Sequence, residues 1–210
     1  MRPPDHGRPR RDRPATRLDG ERNLVPTKIS IVFESAYGHT ERVARHVAKG
    51  AREITGTDVE LIEVDGESDV DLDALTASDA IIFGSPTYNG ALGWKMKRFF
   101  ESTTKPIWSE LKWAGKVAAG FTNSGTASGD KLGTLITQAL FAAQHGMVWV
   151  NLDLLPGSGE DADLNRLGGW LGVMAQSDDA PPEETPPEGD LKTARHLGRR
   201  VAETTAKLRA

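Results

Sequence analysis

The sequence KISIVFESAYGHTERVARHVAKGAREI, residues 28–54, decides the fold class, because it joins a short β-branched run to a longer amphipathic one. Lys28 to Glu34 is rich in isoleucine, valine and phenylalanine, which predicts a strand. From Thr40 to Ile54, apolar side chains recur every three or four residues, which predicts a helix. A strand that leads directly into a helix is the repeating unit of a parallel α/β sheet.

The same alternation of strand and helix patterns continues towards the C-terminus. It predicts further strands at Val59 to Val64, Ala80 to Gly84, Lys116 to Thr122 and Met147 to Val150, and further helices at Leu92 to Ser102, Asp130 to Gln144 and Leu191 to Leu208. Five short apolar strands separated by helices indicate an α/β protein, with a doubly wound parallel sheet covered by helices on both faces. We therefore predict one domain over residues 23–210.

Two stretches have compositions that do not favour regular structure. Residues 1–22 are rich in arginine and proline and contain almost no large apolar side chain, which predicts a disordered basic tail. Arg10-Arg11 is followed by no apolar segment, so it does not read as a twin-arginine signal, and we expect a cytoplasmic protein. Asp178 to Asp190 contains several prolines and is predicted to be a loop.

Composition excludes several classes of function. The 210 residues include no cysteine, which excludes disulfide scaffolds, thiolate metal sites and thiol catalysis. The net charge of −4 does not favour nucleic-acid binding, which needs a concentrated basic surface. No apolar run reaches membrane-spanning length. The alternating acidic residues at 69–73 and 161–165 lack the glycine and glutamate of a calcium loop, and we expect no metal site.

In open α/β sheets, ligands bind beyond the carboxyl ends of the strands, near the point where the strand order reverses. The loop after the first predicted strand, Ser35-Ala36-Tyr37-Gly38-His39-Thr40, places two hydroxyls and a glycine directly before a helix. Free N–H groups and the helix dipole favour an anion there. The loop has no lysine, so a phosphate monoester fits it better than a nucleoside triphosphate. The alternative is that Thr40 only caps the helix.

The loops after the third and fourth predicted strands offer complementary chemistry. Thr87, Tyr88 and Asn89 combine an aromatic face with polar groups, as a flat heterocycle requires, although a surface turn has the same composition. Asn123 to Gly129 is small, polar and rich in hydroxyls, which suits hydrogen bonding to a polyol and a pyrimidine edge. Gly125 to Lys131 is one residue too short for a phosphate-binding P-loop. His145 lies at the end of a predicted helix, before Gly146. A protonated imidazole there would interact favourably with the helix dipole, and the alternative is that His145 belongs to a binding site.

These three loops, in this order and on these strands, resemble the flavodoxin-like family of NAD(P)H:quinone oxidoreductases of the tryptophan-repressor-binding-protein type. The resemblance covers the chain from about Lys28 to the C-terminus. It is carried by the stretches SAYGHTERVARHVAKGA, IIFGSPTYNG, MKRFFE, FTNSGT and QHGMV. It implies a flavodoxin-like five-stranded parallel sheet in the order 2-1-3-4-5, with flavin mononucleotide (FMN) as the cofactor.

The resemblance also implies which residues contact the ligands. By this resemblance the FMN-binding positions are Ser35, Ala36, Tyr37, Gly38, His39 and Thr40 for the phosphate, Thr87, Tyr88 and Asn89 beside the isoalloxazine, and Asn123, Ser124, Gly125, Thr126, Ala127 and Ser128 for the ribityl and pyrimidine groups. A flavin-contacting histidine of the family matches Gln144, with His145 beside it. A tryptophan that lines the family's substrate pocket matches Trp108.

The activity that the resemblance implies is a ping-pong reaction in which NAD(P)H reduces FMN and a quinone then accepts two electrons. The cofactor carries this chemistry, so we expect no catalytic side chain. The resemblance further implies a homodimer or homotetramer. Two alternatives stay open: a flavodoxin-type carrier of single electrons, and a flavin-free interaction module in which the loops are only caps and turns.

Overall fold

The computed structural model of the protein describes residues 25–157 and 163–210. The predicted tail at residues 1–22 lies outside the described residues. The strands are β1 (Thr27–Phe33), β2 (Thr57–Glu63), β3 (Ala80–Tyr88), β4 (Ala91–Leu92), β5 (Val117–Ser124), β6 (Val148–Trp149) and β7 (Val173–Gln176). The helices are α1 (His39–Arg52), α2 (Leu72–Thr76), α3 (Trp94–Ser102), α4 (Lys131–Gln144) and α5 (Glu188–Arg209), with a 3₁₀ turn at Trp108–Glu110.

The sheet has the predicted doubly wound topology. Its principal order is β2-β1-β3-β5-β6, and each of these neighbouring pairs is parallel. This is the 2-1-3-4-5 order expected for five predicted strands, and the flavodoxin-like fold is confirmed. The switch point lies between β1 and β3, from which the chain winds outward in both directions.

Two short strands were not predicted. β4 pairs antiparallel with the end of β3. β7 pairs with residues 121–124 of β5, whereas β6 pairs only with Val117 and Ala118. The fifth position in the sheet is therefore divided between β6, which ends at Trp149, and β7, which begins at Val173. A four-residue strand with the sequence VMAQ has too little alternation to be recognised before its partner is known.

The sheet separates two apolar cores, as expected for a sheet that is buried on both faces. Side chains from alternate positions of the strands, such as Ile29 and Ile31, pack on one face with side chains of α1 and α5, such as Val201 of α5. The opposite face carries an aromatic cluster with α3 and α4, in which Phe100 stacks on Phe141 with ring centroids 3.7 Å apart. The rigid sheet between these cores holds its C-terminal loops in fixed positions.

Glycine permits the close packing of α1 against α5. A Cβ atom at Gly50 would lie 1.8 Å from the carbonyl oxygen of Arg195, and one at Gly198 would lie 1.9 Å from that of Val47. Both distances are far shorter than van der Waals contact, so only glycine lets the two helix backbones approach in this way. This contact fixes the position of α1, whose N-terminus forms part of the candidate site.

Two helices differ from the prediction. α2 was not predicted; the Asp71 carboxylate caps it by accepting from the N–H groups of Asp73 and Ala74, both at 3.0 Å. α5 begins at Glu188, within the stretch predicted to be a loop. The acidic residues Glu188 and Asp190 in its first turn favour that start, because they oppose the positive end of the helix dipole. None of the helices in the described ranges has the length and apolar character needed to cross a membrane.

Candidate functional site

A crevice of about 200 Å³ opens at the C-terminal ends of the central strands, where ligands bind in doubly wound sheets. Residues from the ends of β3 and β5 and from the loops after β1, β5 and β7 line it. They are Ser35, Ala36, Tyr37, His39, Thr40, Pro86, Tyr88, Asn123, Ser124, Gly125, Ser177, Asp178 and Asp179. Parts of all three predicted loops therefore meet in one place.

The first loop is built to present N–H groups at the start of α1. The Ser35 hydroxyl accepts hydrogen bonds from the N–H groups of Gly38 at 3.1 Å and Glu41 at 3.2 Å. Gly38 has a φ of 87°, a left-handed conformation that turns the chain into the helix. Within the described residues, the N–H groups of residues 36, 37, 39 and 40 donate to no acceptor. Four free N–H groups at a helix N-terminus form a site for an anion.

The segment between β7 and α5 is fastened against the start of α1. A ring nitrogen of His39 bonds the carbonyl oxygen of Ala180 at 2.8 Å, and the Arg42 guanidinium donates to the carbonyl oxygens of Pro182 and Thr185. The His39 imidazole therefore has a structural partner, and the Arg42 charge is directed towards the backbone of this segment. The anion site is formed by N–H groups and hydroxyls rather than by a charged side chain.

The second loop contributes less of its polar surface to the crevice than predicted. The Thr87 hydroxyl is buried and lies 2.7 Å from the hydroxyls of both Thr122 and Thr134, so its side chain points into the protein. Pro86 and Tyr88 line the crevice instead. Asn89, with a φ of 50°, lies in the turn to β4 and is not part of the lining.

The third loop divides into two parts. Asn123, Ser124 and Gly125 line the crevice, whereas residues 126–128 are exposed and lie outside its lining. The Asn123 side-chain N–H donates to the Ser177 hydroxyl at 2.8 Å, but its Oδ1 atom is buried without a hydrogen-bond partner among the described residues. A buried acceptor without a partner costs free energy unless a ligand or water satisfies it. Asn123 Oδ1 is therefore a hydrogen-bond acceptor available to a ligand.

Trp108, Gln144 and His145 are not brought to this crevice. They line a separate cavity of about 430 Å³ between α3 and α4. Gln144 lies at the far end of α4 from the third loop, about 20 Å along a helix of this length. His145 is buried, with its ring nitrogens 3.0 Å from the Thr103 hydroxyl and 2.9 Å from the Phe141 carbonyl oxygen. Burial lowers the pKa of His145, so the ring is a neutral part of the core.

The prediction from sequence missed four residues of the crevice lining: Pro86, Ser177, Asp178 and Asp179. Three of them directly follow β7. Their composition is that of a loop, and only the pairing of β7 with β5 carries them to the crevice. Pro86 was recognised as a turn residue, and no further signal marks it as a ligand contact.

The family model for flavodoxin matches residues 31–147 of this chain, which include the end of β1, all of β2 to β5 and the three loops. The chain belongs to the flavodoxin family. A relative from Pseudomonas aeruginosa, flavodoxin FldP, is 37% identical over 88% of this chain and 100% of its own length. An NAD(P)H dehydrogenase (quinone) from Archaeoglobus fulgidus is 33% identical over 86% of this chain and 98% of its own length.

Solved structures of the family share this arrangement of strands and helices. The crystal structure of the flavodoxin, WrbA-like protein from Agrobacterium tumefaciens has a TM-score of 0.67 and 40% sequence identity, and covers 86% of this chain and 98% of that one. The likeness extends over most of both chains and is not limited to the sheet.

The crevice has the donor set that a flavin nucleotide of this family requires. The N–H groups and hydroxyls of the first loop suit a phosphate, and Asn123 Oδ1 supplies a buried acceptor for a ring or polyol donor. Tyr37 and Tyr88, with 73% and 42% of their surfaces exposed, provide aromatic faces beside it. The residues present therefore fit the group that the family implies.

Proposed function

We propose that this protein is an FMN-dependent oxidoreductase that transfers electrons from NAD(P)H to a quinone. The observation that carries the proposal is the crevice itself, which combines an anion site at the start of α1 with two tyrosine side chains and a set of small polar residues. Because the third loop has no aromatic residue, a flavin bound there keeps the face towards that loop free of aromatic cover. That leaves space for a second flat molecule, either a nicotinamide or a quinone.

In this proposal each loop has a distinct task. The first loop, with Ser35 and Thr40, binds the phosphate through N–H groups and hydroxyls. Asn123 orients the polar edge of the ring, and Tyr37 and Tyr88 provide aromatic faces for it. When bound, FMN supplies the redox chemistry, and the protein contributes orientation and polar groups around it.

Relatives support the enzymatic proposal. The Archaeoglobus fulgidus relative described above is named NAD(P)H dehydrogenase (quinone), and a Triphysaria versicolor relative named quinone-oxidoreductase QR2 is 31% identical over 88% of this chain. In both cases the chain covers 98% of the relative's length, so the similarity spans nearly the whole of each relative.

A one-electron carrier is the second candidate. It is favoured by the relative named flavodoxin FldP and by the left-handed conformations of Asn89 and Gly90 beside the crevice, where a backbone group could turn towards a ligand. The enzyme is preferred because the third loop has no aromatic residue to enclose the other side of the crevice.

Steady-state kinetics with NADH, NADPH and a panel of quinones tests the proposal. The purified protein should absorb in the flavin bands, and quinone should accelerate NAD(P)H oxidation with the parallel double-reciprocal lines of a ping-pong reaction. Bound flavin without NAD(P)H oxidation would favour the carrier. A protein that neither contains nor binds flavin would leave only the interaction module.

We also propose that Trp108 and Gln144 act at the crevice of another copy in a homodimer or homotetramer. Both line the cavity between α3 and α4, which is distant from the crevice of their own chain, and the exposed Leu140 continues the apolar surface of that cavity. Analytical ultracentrifugation should find an oligomer, and Trp108→Ala should raise KM for quinone without loss of FMN. A monomer with full activity would contradict this assignment.

A further inference from the structure

Lys131, the first residue of α4, is a charged residue placed almost entirely inside the protein. Only 1% of its surface is exposed, although lysine is rarely buried to this extent. Its ammonium group donates to the carbonyl oxygens of Thr126 at 2.6 Å and Ala127 at 3.0 Å. Both acceptors belong to the third loop and directly follow Asn123, Ser124 and Gly125, which line the crevice.

The shape of the loop depends on this contact. The Thr126 carbonyl oxygen also accepts from the Ser124 hydroxyl at 3.2 Å, so two donors hold it. Gly129 and Asp130 both adopt left-handed conformations, which turn the chain sharply into α4. The loop therefore curls around the ammonium group and directs two of its carbonyl groups towards it.

The N–H groups of the same loop are left free. Within the described part of the chain, those of Thr126, Ala127 and Ser128 donate to no acceptor. A loop whose carbonyl oxygens are bound from behind, and whose N–H groups are unoccupied, offers donors to a ligand. The positive charge of Lys131 also favours such a ligand, because it attracts electron-rich oxygen or nitrogen atoms.

We propose that Lys131 is a positioning residue for the flavin: it holds the third loop in the conformation that presents hydrogen-bond donors, and a positive charge, to the oxygen-bearing edge of the ring system. This inference rests on the proposed function, since it assigns the flavin as the ligand of the loop. It extends the site to a residue that does not line the crevice.

The charge state of Lys131 is open to titration. Burial lowers its pKa to about 8. Among the charged groups around it, Asp190 and Asp178 raise the pKa and Arg166 lowers it, all through space. In the flavin-free protein the ammonium group is therefore lost as the pH rises through about 8, and with it the attraction that holds the two carbonyl groups.

Lys116 provides a matched control. Its ammonium group also donates to two backbone carbonyl oxygens, those of Thr76 at 2.7 Å and Ser78 at 2.5 Å, and burial lowers its pKa as well. It lies at the start of β5, at the opposite edge of the sheet from the crevice. Lys116→Met therefore removes the same kind of interaction without touching the third loop.

The first experiment is a pH titration of the full chain as purified, followed by ¹⁵N NMR. The nitrogens of Ala127 and Ser128 follow the two bound carbonyl groups, and their shifts should change with one common midpoint. The change should persist in Lys116→Met and vanish in Lys131→Met. Shifts that do not titrate, or that titrate equally in Lys131→Met, overturn the positioning role whether or not flavin binds.

The second experiment compares the dissociation constants of FMN and riboflavin. Lys131→Met should raise both dissociation constants about tenfold, the equivalent of one lost charge-assisted hydrogen bond. The two flavins should be affected equally, because the third loop does not contact the phosphate. Lys116→Met should leave both dissociation constants unchanged. Lys131→Gln keeps a hydrogen-bond donor and should therefore lose less affinity than Lys131→Met. Wild-type affinity should fall above pH 8 and that of Lys131→Met should not.

The two experiments separate the proposals. Equal flavin affinity in wild type, Lys131→Met and Lys116→Met overturns the role of Lys131 and leaves the proposed function intact. A wild-type protein that binds neither flavin contradicts both the proposed function and the assignment of flavin as the ligand. Should Lys131→Met fail to fold, Lys131→Gln carries the same comparisons with the same expected directions.

Discussion

The Asn123 side chain donates a hydrogen bond to the Ser177 hydroxyl at 2.8 Å and so joins the end of β5 to the end of β7 across the floor of the crevice. This contact orients the Asn123 amide and leaves its Oδ1 atom buried and without a partner among the described residues. Asn123 therefore has a structural contact through its N–H group and a free acceptor for a ligand. Substitutions of Asn123 and Ser177 separate these two roles.

Asn123→Ala should weaken FMN and riboflavin to the same extent, by about 1–2 kcal/mol, since one buried hydrogen bond to the ligand is lost. Ser177→Ala is the control, because it removes the partner of the Asn123 N–H group and keeps Oδ1. Isothermal titration calorimetry with both flavins measures the effect. Loss of FMN affinity alone would show that Asn123 does not face the ring.

Thr40→Val should weaken FMN far more than riboflavin. Valine has nearly the same shape, so the change removes only the hydroxyl at the start of α1, where a phosphate would bind. Thr205→Val, on α5 and outside the crevice lining, removes a hydroxyl bonded to the Val201 carbonyl oxygen and should change neither affinity. Fluorescence titration gives both constants, and an equal loss for the two flavins would contradict a phosphate site in this loop.

His145 should make the folded protein sensitive to acid. Its pKa lies below the usual 6.5, so the unfolded chain takes up a proton more readily than the folded one. The stability contributed by the neutral ring is therefore complete above pH 6.5 and is lost as the pH falls below it, by at most about 1.4 kcal/mol per pH unit.

Urea unfolding of wild type and His145→Gln between pH 7.5 and pH 5 measures this contribution. The variant should be less stable at pH 7.5, by about 1 kcal/mol for a buried hydrogen bond, and should lose less stability on acidification. Parallel pH profiles for the two proteins would show that another histidine governs the acid response.

Arg166 and Asp190 should hold in place β7 and the residues 177–179 that follow it and line the crevice. The guanidinium donates to both carboxylate oxygens at 2.8 and 2.9 Å, and the Gln176 N–H group of β7 donates to the same carboxylate at 2.9 Å. The carboxylate is buried, and burial raises the pKa of Asp190 although Arg166 opposes the rise. Loss of the guanidinium would leave this buried acceptor without its charged partner.

Arg166→Met should therefore lower the free energy of unfolding on the order of 2 kcal/mol, less than for a fully buried pair because Arg166 is partly exposed. Lys97→Met, which breaks the exposed pair with Glu101, should cost almost nothing. FMN affinity should fall in the first variant only. Urea unfolding and flavin titration measure both quantities, and equal stabilities for the two variants would contradict the role of the Arg166–Asp190 pair.

The sequence by itself determined the strand and helix alternation, the five principal strands and the three loops that the crevice draws on. These features are local. The β-branched run at Ile29 to Phe33 and the helical spacing from Val43 to Ala51 arise from the geometry of a single strand or helix. The first loop is recognisable for the same reason, because a hydroxyl, a glycine and a helix start follow one another directly.

Only the tertiary structure decided which side chains meet. β7 becomes a strand because β5 offers it unpaired backbone groups, and that pairing carries Ser177 to Asp179 into the crevice. Thr87 turns inward because Thr122 and Thr134, distant in sequence, provide hydroxyl partners. Lys131 is buried because the third loop folds back over it. Each outcome depends on contacts between residues far apart in the chain, and no local pattern encodes them.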